Sequence, residues 1–186
     1  DKASDKVDQV PASSGSNSSK PAGNLNGEPA YDPESPTYRS FSIVRDEISS
    51  TKNILKDSEW NKNVEGRNDD ATRYLAKAKE NLEKLQSDPI ESKKPYVKDL
   101  AASWDETEAL RKEKFETYTL NQDYSKKLDE FHRFAMNGWE ITDKSLEASY
   151  TGYHKFKSEF ETKRPDYVKD NYVQKRFADI DNYFNV

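Results

Sequence analysis

The stretch from Trp139 to Lys163 carries the pattern that most constrains how this chain folds. Its apolar and small residues recur at heptad spacing: Trp139, Leu146, Tyr153 and Phe160 lie seven residues apart, and Thr142, Ser149 and Phe156 fill the alternate positions. This 3-4 alternation continues for about six turns of an α-helix. Charged residues fill other positions, so the pattern predicts an amphipathic helix whose aromatic seam must be covered by other helices.

A first helix is predicted near the end of a polar N-terminal region. Ser35 can cap a helix, and Pro36 suits the first helical position because its missing N–H costs nothing there. The apolar face then continues to about Lys56. The link that follows is polar, and we expect its Trp60 to anchor it on the bundle.

A second helix is predicted by apolar residues spaced 4-3-4-3, after a cap at Asp69 or Asp70 and before a stop at Asp88-Pro89. The apolar face consists of Ala71, Leu75, Ala78, Leu82 and Leu85. We expect these five residues to be buried.

The rest of the chain reads as further helical segments. One begins near Pro95, and residues 121–123 (Asn-Gln-Asp) predict a break before the next, although a continuous helix remains open. Asn137-Gly138 predicts either a stop or a bend ahead of the heptad seam. A final helix is expected after Arg164-Pro165.

The predicted fold class is all-α, because no stretch shows the alternation of a β-strand. We expect an elongated antiparallel helical bundle of about four to six segments. The heptad seam alone is compatible with a coiled-coil dimer. The other amphipathic segments can cover it within one chain, so a monomer is expected.

Residues 1–35 differ in composition from the rest. They hold three of the six glycines and four of the eight prolines, and the run from Pro11 to Pro21 is rich in Ser. Such a segment buries too little apolar surface to offset its ordering entropy. The sequence therefore predicts a disordered tether over 1–35 and a helical bundle domain over 36–186; a dispensable terminus is the alternative.

The overall composition excludes several classes of function. Charged residues make up 35% of the chain and the net charge is -5 with the signs interspersed, which argues against nucleic-acid binding. The absence of cysteine removes disulfides, thiolate nucleophiles and cysteine metal sites. No apolar run reaches the roughly 18 residues that a membrane-spanning helix needs.

Catalytic and metal-binding patterns are weak. His132 has Asp129 three residues before it, yet the chain contains no Glu-x-x-His motif of the kind found in bundle metal sites. Pairs of neighbouring acidic residues are typical of solvated helix faces. No nucleophile motif and no phosphate-binding glycine loop is present. We therefore predict no enzyme activity, no cofactor and no metal site.

Tyrosines beside the predicted seams are the candidate binding residues. Tyrosine is amphipathic and common at binding surfaces. The candidates are Tyr150, Tyr167, Tyr172 and Tyr183. The alternative is that these rings widen the core, with each hydroxyl reaching water at its edge.

The segment from Tyr118 to Phe134 resembles the YiiG-like family of bacterial lipoproteins. Members carry an aromatic–Asp–Tyr stretch, then Lys, then a helix with His and Phe, and this segment has Gln-Asp-Tyr124-Ser-Lys-Lys followed by His132 and Phe134. The tether ahead of a cysteine-free helical domain is also similar to surface lipoproteins. The resemblance implies an α-helical envelope protein without known catalysis, lipid-anchored through a Cys just before Asp1.

These observations predict a non-enzymatic, extracytoplasmic helical module on the bacterial cell surface that binds a protein or glycan partner. Contact with the membrane is expected only through the N-terminal anchor. A structural or stress-linked envelope protein with no dedicated ligand is the alternative, and a metal-binding bundle is a third.

Overall fold

A computed structural model describes residues 33–137 and 143–185, together with the side chains of these residues except 143–148. Within these ranges the chain forms six α-helices and two short 3-10 turns, with no β-strand, which confirms the all-α prediction. The helices are α1 (Tyr38–Ile54), α2 (Asp57–Trp60), α3 (Val64–Ser87), α4 (Pro95–Asn137), α5 (Asp143–Lys163) and α6 (Asn171–Phe184). The 3-10 turns are Glu91–Lys93 and Tyr167–Lys169. No helix in the described ranges is long and apolar enough to cross a bilayer.

Two predictions fall outside the described residues. The tether prediction concerns residues 1–35, of which only 33–35 are described. The choice between a stop and a bend at Gly138 also lies outside, as does Trp139 at the start of the heptad seam.

The chain divides into two compact units, and the division falls between Glu113 and Lys114 within α4. Unit 1 contains α1 to α3 and the first part of α4. Unit 2 contains the remainder of α4 with α5 and α6. Each unit has its own hydrophobic core.

The core of unit 1 lies between α1, α3 and the start of α4. Its buried residues are Phe41, Val44, Ile48, Ala78, Leu82, Leu85 and Val97. The 4-3-4-3 stripe of α3 is buried at all five positions, as predicted. Trp60 is 3% exposed, so the prediction that it anchors the link is also confirmed.

The starts of α1 and α3 differ from the prediction. The first helix begins at Tyr38 rather than Ser35, because the Ser35 hydroxyl accepts a 3.3 Å hydrogen bond from the N–H of Thr37 in a preceding turn. The second begins at Val64, where Asn63 accepts the Gly66 N–H at 3.1 Å. A Cβ at Gly66 would lie 2.5 Å from Nδ2 of Asn63, so a larger residue there would displace the capping side chain.

Polar contacts tie α4 to α3 inside unit 1. The indole N–H of Trp104 donates to the carbonyl of Leu75 at 2.8 Å, while the Lys79 ammonium lies 4.6 Å from the indole ring centroid. Arg111 donates to the side-chain oxygen of Asn68 at 2.9 Å. These bonds satisfy polar groups that packing of the two helices removes from water.

The core of unit 2 is built largely from aromatic rings. Its buried residues are Leu128, Ala135, Tyr153, Phe156, Phe160, Val168, Val173, Phe177 and Ile180. The described aromatic residues of the heptad seam, Tyr153, Phe156 and Phe160, are all among them, as predicted. The ring centroids of Tyr124 and Phe160 are 4.7 Å apart, and those of Phe131 and Tyr153 are 5.7 Å apart. The later residue of α4 thus contacts the earlier residue of α5, so the two helices run antiparallel.

The predicted break at residues 121–123 is wrong, because α4 continues through them. Asn121 uses its side-chain oxygen to accept a 2.6 Å hydrogen bond from Arg164, which leaves its backbone free to remain helical. Neither Gly nor Pro stands in this stretch to force a break. The final helix begins after Pro165 as expected, with Asp170 as its cap.

Candidate functional site

The four candidate tyrosines lie at the two ends of α6. Tyr150 and Tyr183 lie where α6 ends, while Tyr167 and Tyr172 lie where it begins. Tyr183 follows Tyr172 by eleven positions, which corresponds to a separation of about 17 Å along a helix. The structure therefore brings the tyrosines together as two pairs and not as one patch.

Tyr150 belongs to a chain of aromatic contacts at the end of α6. Its ring lies 4.2 Å from His154 and 5.4 Å from Phe184. The contacts continue from Phe184 to Tyr183 at 5.2 Å and from Tyr183 to Phe134 at 6.2 Å. Tyr150 is 45% exposed, whereas Tyr183 is half-buried against the core.

The tyrosines at the other end contact their own unit. Tyr167 stacks on Phe160 with ring centroids 5.8 Å apart, so it widens the core. The Tyr172 hydroxyl donates a short hydrogen bond to Asp129, and this bond, with partial burial, raises the pKa of the phenol. The guanidinium of Arg176 lies 4.9 Å from the Tyr172 ring centroid.

His132 lies in a polar network that joins α4 to α6. Its Nε2 is 2.9 Å from a carboxylate oxygen of Asp179, and Arg176 contacts its Nδ1. A carboxylate can only accept, so the hydrogen of the bond to Asp179 is on Nε2, and the Arg176 guanidinium lies against the same ring. Both contacts of the ring are with residues of the same unit.

Asp129 belongs to the same network. Its carboxylate accepts a hydrogen bond from the Tyr172 hydroxyl and lies 3.6 Å from Nε of Arg176. No group of three or more histidine, aspartate or glutamate side chains in the described part of the chain has an arrangement suited to a metal ion. The arrangement around His132 thus provides interhelical hydrogen bonds and charge pairs.

A second polar network joins α5 to α6. Tyr153 is fully buried, and its hydroxyl donates to Asp181 at 2.8 Å. Burial, with the hydrogen bond to Asp181, raises the pKa of this phenol well above its usual range. Lys157 donates to the other oxygen of Asp181 at 2.9 Å.

A groove between α4 and α5 is a feature that the sequence reasoning missed. It has a volume of about 240 Å3 and is lined by Lys127, Glu130, Phe131, Phe134 and Ser149. The spacing of Phe131 and Phe134 places both on one side of α4, but it gives no sign that Ser149 lies opposite them. The small Ser149 side chain leaves room for the groove.

The rim of the groove carries both signs of charge. Lys127 and Glu130 are exposed and lie three residues apart on α4, so they are neighbours on its surface. The Lys127 ammonium lies 5.6 Å from the ring centroid of Phe156. Phe134 joins the groove to the aromatic contacts that lead to Tyr150.

Comparison of the chain with protein families, with curated proteins and with solved structures finds no match. The similarity of residues 118–134 to the YiiG-like lipoproteins therefore stays a prediction.

Proposed function

We propose that this protein is a non-enzymatic helical interaction module displayed on the bacterial cell surface, and that the groove of unit 2 receives an apolar side chain of a protein partner. One observation carries the proposal. Phe131 and Phe134 form an aromatic floor in the groove, and the rim carries one positive side chain, Lys127, and one negative side chain, Glu130.

The size of the groove favours a protein side chain over a larger ligand. Pockets for small molecules and cofactors usually have volumes of about 300–1,000 Å3. A groove of about 240 Å3 falls below that range, but it can take one large apolar side chain. A glycan chain would rest largely outside it.

The charged rim supplies a means of selecting the partner. Lys127 and Glu130 are exposed, so complementary charges on a partner would steer the encounter and set its orientation more than they would add affinity. A partner segment with an apolar residue between an acid and a base fits this arrangement.

Display at the surface is supported by two features of the sequence. Residues 1–35 have the composition of a tether, and the Tyr118–Phe134 segment resembles envelope lipoproteins. A tether of this kind holds a binding domain away from its anchor while keeping it at high local concentration.

Charge reversal at the rim tests the proposal. The full chain is used to capture partners from the surface fraction of the cells that make it, alongside Lys127→Glu and Glu130→Lys. We expect one saturable protein partner, bound about tenfold more weakly by each variant because each reversal brings like charges together, a loss of about 1.4 kcal/mol.

Lys126→Glu is the matched control, because Lys126 is exposed beside Lys127 but does not line the groove. It should bind like the unmodified chain. Equal binding by all four proteins would contradict the role of the groove, and capture of a glycan in place of a protein would contradict the partner class.

A structural envelope protein with no dedicated ligand is the second candidate. It is favoured by the fact that Tyr167, Tyr172 and Tyr183 each contact their own unit. This candidate predicts that cells carrying Lys127→Glu behave like the wild type, while cells lacking the protein show an envelope defect.

A further inference from the structure

The corner between α3 and α4 presents an apolar side chain to solvent. Ile90 is 69% exposed, which is the largest exposed fraction among the large hydrophobic residues of the described ranges. Pro89, directly before it, is also exposed. A single exposed apolar residue is ordinary, so its meaning depends on its surroundings.

Hydrogen bonds hold this corner in one conformation. A carboxylate oxygen of Asp88 accepts the N–H of Ile90 at 2.9 Å and the N–H of Glu91 at 2.8 Å. Glu91 in turn accepts the hydroxyl of Tyr96 at 2.5 Å. The two acids nearest the tip are therefore engaged by donors of the corner itself, and Ile90 stays projected outward.

Three lysines follow the exposed isoleucine within the next eight residues. Lys93 and Lys98 are exposed and Lys94 is half-buried. None of the three forms an ion pair with a described residue. The N-terminus of α4 at Pro95 adds positive potential at the same place.

The chain enters unit 1 at this same end. Phe41, in the first turn of α1, packs edge-on against Tyr96 at the start of α4, with ring centroids 5.7 Å apart. Residues 33–37, which lead into α1, thus lie beside the end that carries the corner. A tether anchored in a bilayer would attach to unit 1 at this end and so keep the corner near the lipid.

We propose that the α3–α4 corner docks on an anionic lipid surface, with Ile90 inserted at the boundary between headgroups and acyl chains and with Lys93, Lys94 and Lys98 against the lipid phosphates. The proposal rests on the surface-display part of the proposed function and is independent of the groove. An exposed apolar side chain followed closely by three ammonium groups that pair with no described acid is complementary to such a surface, which is negative outside and apolar beneath.

Vesicle flotation with the full chain tests the proposal. The probes are vesicles of phosphatidylglycerol with phosphatidylethanolamine, and vesicles of phosphatidylcholine alone. We expect binding to the anionic vesicles that weakens with added salt, and much weaker binding to the neutral ones. Lys93→Glu and Lys98→Glu should each lower the partition coefficient at least about fivefold, and Ile90→Asp should lower it further.

The matched controls are Lys112→Glu and Leu110→Asp, which change an exposed lysine and an exposed apolar residue of α4 within the same unit. Both should bind vesicles like the unmodified chain, and circular dichroism should show that all variants fold. Absence of binding to anionic vesicles would overturn the proposal, as would equal binding to neutral vesicles or an equal loss in the controls.

Failure of this proposal is distinguishable from failure of the groove. Lys127→Glu should leave vesicle binding unchanged, and Ile90→Asp should leave capture of the partner protein unchanged. Should Ile90→Asp abolish capture of a protein while no vesicle binds, the corner would be a protein-binding surface and the lipid assignment would be wrong.

Discussion

The hydroxyl of Tyr153 donates a 2.8 Å hydrogen bond to Asp181, from a ring that has no exposed surface. The same hydroxyl lies 3.3 Å from the carbonyl oxygen of Phe177. A residue at the centre of the heptad seam thus joins α5 to α6 through a polar bond as well as through packing. This bond makes the stability of unit 2 sensitive to one oxygen atom.

Replacing Tyr153 by phenylalanine removes that oxygen and little else. We expect Tyr153→Phe to lower the free energy of unfolding of unit 2 by about 1–2 kcal/mol, because a bond to a charged acceptor is lost while Lys157 still pairs with Asp181. Chemical denaturation followed by circular dichroism measures the change. Tyr150→Phe is the control and should change the stability by less than about 0.5 kcal/mol. Equal losses would show that the Asp181 bond is not the cause.

The raised pKa of the Tyr153 phenol predicts sensitivity to alkali. The phenol stays protonated in the folded unit at a pH where it ionises in the unfolded chain, which begins near pH 10. Its contribution to stability is therefore complete below about pH 10 and is lost as the pH rises further. Tyrosinate absorbance during titration should show Tyr153 ionising only with unfolding. Tyr153→Phe should reduce the alkaline loss of stability, and an unchanged loss would contradict the assignment.

The buried apolar stripe on α3 predicts that shortening one of its leucines strongly lowers the free energy of unfolding. Leu82 is 1% exposed between α1 and α3, so Leu82→Ala should lower the free energy of unfolding of unit 1 by about 2–5 kcal/mol. Leu110→Ala makes the same chemical change at a residue that is 43% exposed, and it should cost less than about 0.5 kcal/mol. Hydrogen exchange of the α3 amides measures both. Similar costs at the two positions would refute the described core.

The network between α4 and α6 predicts that replacing Arg176 by lysine weakens the attachment of α6. Arg176→Lys keeps the charge but loses the planar group that contacts both His132 and Asp129. We expect the opening free energy of the α6 amides in hydrogen exchange to fall by about 1 kcal/mol. Lys175→Ala, at the exposed neighbour, should leave their exchange unchanged. Unaltered exchange in Arg176→Lys would show that the network does not hold the helix.

The cores of both units could be predicted from spacing. Leu75, Leu82 and Leu85 on α3, and Tyr153 and Phe160 on α5, are all buried where the periodicity placed them. Spacing succeeds here because a helix that buries one face must repeat its apolar residues near every 3.6 positions.

Helix ends are harder to predict than the cores, because a polar side chain can either cap a helix or hydrogen-bond to a residue elsewhere in the fold. Asn63 caps α3, although Asp69 and Asp70 looked the better candidates further along. Asn121, where the sequence predicts a break, instead accepts a hydrogen bond from Arg164. That partner is 43 residues away, so no local rule could reveal the choice.

The candidate site could be predicted only in part. Exposure of Tyr150 and Tyr172 agrees with their positions beside the seams, yet the separation of the tyrosines into two pairs follows from the packing of α6. The groove depends on which residue of α5 lies opposite Phe131 and Phe134. That register is set by tertiary packing, which periodicity along a single helix does not encode.

A photo-crosslinker in place of Ser149 tests whether the groove holds an apolar side chain of a protein partner. Ser149 lines the groove, whereas Ser158 is exposed further along α5 and serves as the matched position. In cells that make the protein, we predict one crosslinked protein partner from position 149, none from position 158, and a weaker crosslink from position 149 with Lys127→Glu. Equal crosslinking from both positions, or none from position 149, would contradict the claim.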